Sequence, residues 1–430
     1  MADFTLTSAT NLFKIKYGKL SDNVYNSANV MLGRTNKKYD FTGKRMDITI
    51  PSSFQGGVGS GLLPTPNVAN YEDAQITAKK VYSVVQIERE AIKASMNSEG
   101  AFVQGTKEVV QKGVESYMRN SSRILFGNGD GVLGYGDGTG TNVSGAGTTG
   151  SPYVVEFPVA GWLEAAWEEK DFVQCITALA KSLGATQSGF DSGTAESAST
   201  SLLEVVAVDP DARQVSLVGT SARLAILTGA NPLAATDGFA MQNSFLLEPQ
   251  GLGGVLSMPI GITASLYTVS VARRWSAYQE AAGGAGISTD LMNKVMLNVQ
   301  KRSGKVPNLI MTSFTQFRKV LNLLEDQKQY NIDPKSADLK GKISFKGVEF
   351  MSSAGAIGIF PERFCADDRM YFLNDNYITC YHRPGFGWFE DDGTVFLRGG
   401  STDDYSARYG GYYENYIVPS FHGVIDGLAV

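Results

Sequence analysis

Histidine and cysteine are nearly absent from this chain of 430 residues, which holds only His382 and His422 and three cysteines, Cys175, Cys365 and Cys380. Two histidines leave few centres for general acid–base or metal chemistry at neutral pH. Three cysteines form an odd set without C-x-x-C spacing, so neither a disulfide framework nor a zinc site is indicated, and they read as small reduced core residues. Cys380 and His382 stand two apart, which on a strand puts them on one face as a nucleophile–base pair would stand; a structural role for both is the expectation. No stretch approaches the ~18 consecutive apolar residues of a membrane span. The opening segment, Met1 to Leu6, has neither a basic leader with an apolar run nor a small-residue cleavage site, so synthesis in a cytoplasm is expected. A Walker A lysine motif, G-x-S-x-G and H-E-x-x-H are all missing. No catalytic, cofactor-binding or metal-ligating residue is therefore assigned, and the chain is not expected to be an enzyme.

Charge is scarce as well. Charged residues make up 19% of the chain against a usual ~25%, while glycine, at 48 residues, exceeds its usual ~7% share. Both departures fit a subunit that hides much of its surface against copies of itself. The net charge of −5 gives no general signal for nucleic acid, which needs clustered basic surface. Residues 1–50 depart from this balance, with Lys14, Lys16, Lys19, Arg34, Lys37, Lys38, Lys44 and Arg45 against four Asp.

What is present has a clear order. Residues 1–40 are polar with scattered apolar positions and look like an arm that needs a partner surface. Met46–Ile50 alternates apolar and polar residues at the period of a half-buried strand, and a second extended run, Ile76–Ile87, is rich in Val and Tyr. The connection between them is about 20 residues, too long for a tight hairpin turn, so the pair reads as a long two-stranded arm marginal in isolation. From Ser98 to Phe126 the spacing becomes helical, with Val103, Val110, Val114, Tyr117, Met118 and Leu125 on one stripe. Glu108–Lys112 and Glu115–Arg119 are i, i+4 pairs for an exposed face. Interior Gly105 and Gly113 cost helix stability, so close packing against them is expected.

Gly129–Gly134 satisfies G-x-G-x-x-G but follows a helix rather than joining strand to helix, so it is no dinucleotide site. The Gly-Asp-Gly triplets at 129–131 and 136–138 suggest calcium turns, which need several stacked repeats; a glycine-rich connection is the simpler reading. Residues 150 to about 260 look like a separate, largely β unit, with Phe172–Leu183 at helical spacing and a hairpin of Leu202–Val208 and Gln214–Val218 around Asp209-Pro210-Asp211. Further on, Ser288 is placed to cap a helix carrying Leu291, Val295, Met296 and Val299 and ending at Gly304. Pro307–Thr312 reads as a buried strand, and Ser313 caps a helix through Phe317, Val320, Leu321 and Leu324. Short strands follow, including Tyr371–Leu373, Tyr377–Tyr381 and Thr394–Leu397.

This order resembles the major capsid proteins of tailed bacteriophages, the Hong Kong ninety-seven-like fold, over nearly the whole chain. The likeness is carried by Ile124–Gly131 as the exit of a spine helix, by Pro307–Thr312, by Leu339–Phe350 and by Tyr416–Ile425. It implies an α+β fold with an N-terminal arm (1–43), an extended loop (44–90), a peripheral domain with the spine helix (91–139), a largely β insertion (140–255), a peripheral return (256–283), an axial domain (284–365) and C-terminal strands (366–430). It also implies self-assembly through pentamers and hexamers into an icosahedral shell, non-specific contact with packaged double-stranded DNA, and portal and cement proteins as candidate partners, with a separate scaffolding protein or none. The virion is the expected location, after assembly in the host cytoplasm, with no membrane and no cofactor.

Some relatives lock their shells by a bond from an extended-loop lysine, but no lysine lies between Lys44 and Lys79, so a non-covalent shell is expected. Phe54, Leu62, Leu63 and Tyr71, apolar positions on an otherwise polar loop, are the expected subunit-interface residues. An encapsulin-type shell is the alternative within the fold, against which the large insertion weighs. A calcium-binding surface protein is the alternative outside it, and lacks both the repeats and an export signal.

Overall fold

The computed structural model describes residues 30–53, 70–88, 99–136, 141–145, 153–160, 163–176, 203–219, 238–242, 244–260, 265–271, 275–325, 348–352, 355–383, 387–389, 397–398 and 404–430. Within them the chain forms one long helix, a hairpin, two six-stranded sheets and a small closed barrel.

The long helix, Glu99–Phe126, has 28 residues and spans about 42 Å at 1.5 Å per residue. It lies against a sheet whose central member is the strand Asp404–Ile417. That strand pairs along one edge with Lys79–Glu88 and along the other with Ile378–His382, Gly387–Trp388 and Leu397–Arg398; Asn36–Lys38 adds in parallel to Ile378–His382. The stripe expected of the helix is the buried one where side chains are described: Tyr117 and Leu125 are buried and Met118 is half-buried. Gly113 faces the sheet, and a Cβ there would overlap the Val85 Cγ2 methyl. Side-chain positions at Val103, Gly105 and Val110 lie outside the described residues.

The expected two-stranded arm takes a different form. Met46–Ser53 pairs antiparallel with Asn70–Ile76, from Met46 opposite Ile76 to Ser53 opposite Asn70. The run Lys79–Glu88, expected to belong to the same arm, instead joins the central strand, with Lys79 opposite Tyr413 and Glu88 opposite Asp404. The apolar run Ile76–Ile87 is thus two strands, broken at Thr77–Ala78; composition alone does not reveal such a break.

The second sheet runs in the order Tyr278–Ala281, Gly423–Asp426, Met370–Leu373, Leu309–Thr312, Gly355–Pro361, Val348–Ser352. Its two middle strands, Leu309–Thr312 and Met370–Leu373, are buried at every position, which is why they read as continuous apolar runs. The helices Thr289–Ser303 and Phe314–Glu325 supply much of the core around it, with Val295, Met296, Val299 and Val320 buried among Ile310, Ile359 and Phe372. The expected caps form: Ser288 Oγ accepts from Leu291 N at 3.2 Å and Ser313 Oγ from Gln316 N at 3.3 Å, while Gly304 closes the first helix at φ 72°. A left-handed residue there favours glycine.

Between helix and second sheet lies a separate all-antiparallel unit. Val132–Gly136, Tyr153–Ala160, Gln214–Gly219, Leu203–Asp209, Phe172–Ile176 and Gly238–Met241 pair in that order, and the last pairs back to the first. Six strands close into a barrel, a seventh, Thr141–Ser144, adds to Tyr153–Ala160 at its edge, and the interior is filled by side chains of its own, among them Phe157, Val173, Val205, Leu217, Phe239 and Trp167. The hairpin turn is as expected, with Asp209 Oδ1 accepting from Asp211 N and Ala212 N. Phe172–Ile176 is a strand rather than the start of a helix: it has a neighbour on each side, and this pairing overrides its helical spacing. The barrel also begins at Val132, inside the range expected to precede it.

Candidate functional site

The expectation of a self-assembling subunit turns on surface rather than on a pocket, so the hairpin comes first. Its base is not an unsupported ribbon. Ala74 and Ile76 are fully buried, Ile48 and Ile76 pack with Phe41, Tyr381 and Tyr416, and Gln75 N donates to Tyr267 O at 2.8 Å. The outward face is polar, with Arg45 bonded to Asp47 and Thr49 Oγ1 donating to Asp73 Oδ1 at 2.8 Å. Tyr71 stands out from it, 58% exposed and opposite Pro51 near the distal end of the described ladder. Phe54, Leu62 and Leu63 lie outside the described residues, so Tyr71 is the one expected interface residue whose surroundings are visible.

Other exposed apolar groups escaped sequence reasoning. Leu297 is 54% exposed, Phe314 61% and Met351 75%, all on the unit built around the second sheet, and Tyr82 is 53% exposed on Lys79–Glu88. A signal existed for Leu297, which falls off the buried stripe of its helix. Met351 is on the edge strand Val348–Ser352, whose outer backbone edge has no neighbour among the described strands. Such edges invite pairing with another chain.

The titratable groups are arranged for structure. Cys380 Sγ and His382 Nε2 are 3.3 Å apart and both residues are buried. They border a cavity of about 60 Å³ together with Tyr117, Ser121 and Tyr413. Burial raises the Cys380 thiol well above its ordinary range, and burial together with Lys37 lowers the His382 imidazole to about 4. A thiolate–imidazolium pair needs the opposite shifts. His422 is buried with Nδ1 accepting from Asn374 N at 3.1 Å, and burial lowers it to about 3. Cys365 is likewise raised by burial.

The Gly-Asp-Gly segment is a packing device. Gly129 and Gly131 have φ 78° and 79°, Asp130 Oδ1 accepts from Val132 N at 3.0 Å, and Leu246 N donates to Asp130 O at 2.8 Å. Among the described residues no group of three or more His, Cys, Asp or Glu is placed to hold a metal ion, and no helix is long and apolar enough to cross a membrane.

No protein-family model and no curated protein matches the chain. Solved structures do. A subunit of the cyanophage A-1(L) capsid asymmetric unit aligns over 99% of this chain and 100% of its own, with a TM-score of 0.56 at 11% identity. The holo-SrpI encapsulin complex from Synechococcus elongatus PCC 7942 aligns over 100% and 96% at 6% identity, TM-score 0.45. The capsid of a native GTA particle aligns over 100% of both chains at 8% identity, TM-score 0.46. Scores below 0.5 give the latter two no weight. The first, spanning both chains, shows that this chain has the α+β fold of a phage capsid subunit.

Proposed function

We propose that this chain is the major capsid protein of a tailed bacteriophage, assembling through pentamers and hexamers into the icosahedral shell of the virion around double-stranded DNA. The observation that carries the reading is the end-to-end likeness to the cyanophage capsid subunit. The anchored hairpin and the exposed Tyr71, Leu297, Phe314 and Met351 support it, because apolar side chains left in water are the ones a neighbouring copy would cover. In this reading residues 44–90 contain the extended loop, and Phe54, Leu62, Leu63 and Tyr71 lie across the next subunit. Residues 91–139 with 256–283 form the peripheral domain, 284–365 centre on the axial domain, and the insertion faces outward. Assembly takes place in the host cytoplasm, with a separate scaffolding protein or none and with portal and cement proteins as candidate partners, and the chain has no catalytic role.

The test is to produce the chain alone and examine the soluble fraction by light scattering and negative-stain electron microscopy. Closed shells, tubes or rings of five or six are expected. A folded monomer that persists under crowding and across salt conditions would refute the reading.

A further inference from the structure

The sheet around Asp404–Ile417 has two unlike faces. One carries the long helix: Val85 meets Gly113, and the Tyr409 ring stands edge-on to Tyr117 at 5.3 Å. Side chains alternate along strands, so Arg408 and Tyr412, with Lys80 and Tyr82 on the neighbouring strand, project from the other face. Lys80 Nζ lies 5.9 Å from the centre of the Tyr412 ring and Arg383 Cζ 5.8 Å from it, while Lys38 Nζ lies 5.4 Å from the Tyr381 ring. Phe389 stacks on Tyr412 at 6.3 Å. Lys38, Lys80 and Arg408 are exposed, and no carboxylate among the described residues forms an ion pair with any of the four cations. The acidic residues of the same parity on these strands are Glu88 opposite Asp404, two same-face positions beyond Arg408, and buried Glu414, one beyond Tyr412 and opposite Tyr381.

Among the described residues, exposed cations without a carboxylate partner, set among aromatic rings on a sheet face, contrast with the net charge of −5. We infer that this face is a binding surface for the phosphate backbone of nucleic acid, with Lys38, Lys80 and Arg408 as its exposed phosphate contacts; Arg383, beside Tyr412, is committed to the Gly43 carbonyl. The inference rests on the capsid reading for the identity of the polymer, double-stranded DNA, and it orients the subunit, with this face toward the enclosed genome. Contacts of this kind are independent of base sequence and release counterions. The acidic surface of a second copy is the competing occupant, and exposed cations spread across three strands of one sheet face, Asn36–Lys38, Lys79–Glu88 and Asp404–Ile417, suit a repeating polyanion better than one fixed carboxylate.

The experiment measures fluorescence anisotropy of a labelled 30-base-pair duplex of arbitrary sequence with the full-length subunit between 50 and 200 mM NaCl. It compares the wild type with a Lys38→Gln, Lys80→Gln, Arg408→Gln variant and with a charge-retaining Lys38→Arg, Lys80→Arg, Arg408→Lys variant; the three sites are exposed, and folding is checked by circular dichroism. Each neutralised contact lowers the slope of log affinity against log salt by about 0.9, so the first variant loses about 3 and the second keeps the wild-type slope. Unchanged DNA binding in the first variant overturns the inference, and so does normal DNA binding with shells that no longer form, which assigns the face to another subunit. Failure of the capsid reading looks different: the wild type then makes no shells, whatever its affinity for DNA.

Discussion

Glu414 is a buried carboxylate whose pKa burial brings close to neutrality. It lies on the central strand Asp404–Ile417, almost wholly excluded from water, with Oε1 accepting from Gln250 N at 2.6 Å and from Asn415 N at 3.3 Å. Lys79 attracts it, but the Lys79 ammonium is committed to the carbonyls of Leu246 and Glu248 at 3.3 and 2.9 Å. Burial outweighs these contacts and raises the carboxyl from 4.5 to about 7. The folded chain therefore holds a proton that the unfolded chain releases above pH 4.5. The associated stability is complete below pH 4.5 and is lost as pH rises through 7. At ~1.36 kcal/mol per tenfold difference, that interval is worth about 3 kcal/mol. Glu414→Gln keeps an oxygen for the Gln250 N–H and removes the ionisation. The assay is urea unfolding of dissociated subunits at pH 4, 6 and 8, wild type against variant. The comparison must be a difference, because His382 and His422, lowered by burial to about 4 and 3, make the folded chain less stable as pH falls below 6.5. The expected result is near equality at pH 4 and a variant more stable by up to about 3 kcal/mol at pH 8. A variant no more stable than wild type at pH 8 would refute the reasoning.

Four further outcomes are expected. Gly113→Ala gains helix propensity of up to about 1 kcal/mol but drives a methyl into Val85, so chemical denaturation should show net destabilisation of about 1–2 kcal/mol, relieved when Val85→Ala is added. Phe239→Ala empties the barrel centre beside Phe157 and Trp167 and should cost about 3–5 kcal/mol, with hydrogen exchange accelerating chiefly in residues 132–241. Ser288→Ala removes the cap of Thr289–Ser303 and should lower stability by about 1 kcal/mol in the same denaturation assay. A Leu62→Asp, Leu63→Asp double variant should remain folded yet fail to form shells in electron micrographs; normal assembly would remove those two residues from the interface.

How much of this was legible in the sequence depended on whether the signal was local. Caps at Ser288, Ser313 and Gly304, the turn at Asp209 and the buried strand Leu309–Thr312 are set by residues within a few positions of one another, and each stands where its chemistry places it. Pairing between distant segments was less visible. Lys79–Glu88 looks like a partner for Met46–Ser53 because both have strand composition, yet its register belongs to a strand more than 300 residues further on. Closure of the barrel is equally silent, since it depends on Gln214–Gly219 meeting Tyr153–Ala160. The exposed Leu297 and Met351 were hidden for another reason: an apolar residue reads as core until its surroundings are known.

The attachment of the barrel shows how a local signal can be real and its reading incomplete. Glu115 and Arg119 have the spacing of a solvent-exposed pair, but Arg119 reaches across to Asp171 at 3.2 Å and to Glu168, both on the barrel's turn. One turn along the helix, Arg123 is buried in a two-pronged pair with Glu248, on the segment that leads back from the barrel. Between these anchors the glycines do the opposite of loosening the chain. A Cβ on Gly251 would overlap Ile124 O and Gly127 O, one on Gly254 would overlap Asn128 O, and one on Gly253 would lie 2.8 Å from Phe126 O. The exit of the helix and the return from the barrel thus touch backbone to backbone, a separation no larger residue permits. A unit whose two ends are locked together places little demand on the rest of the fold, because the rest sees only the short gap between them. Glycine richness at 127–131 and 251–254 therefore marks the clamp that lets a six-stranded barrel sit at the end of a long helix without disturbing the sheet beneath it.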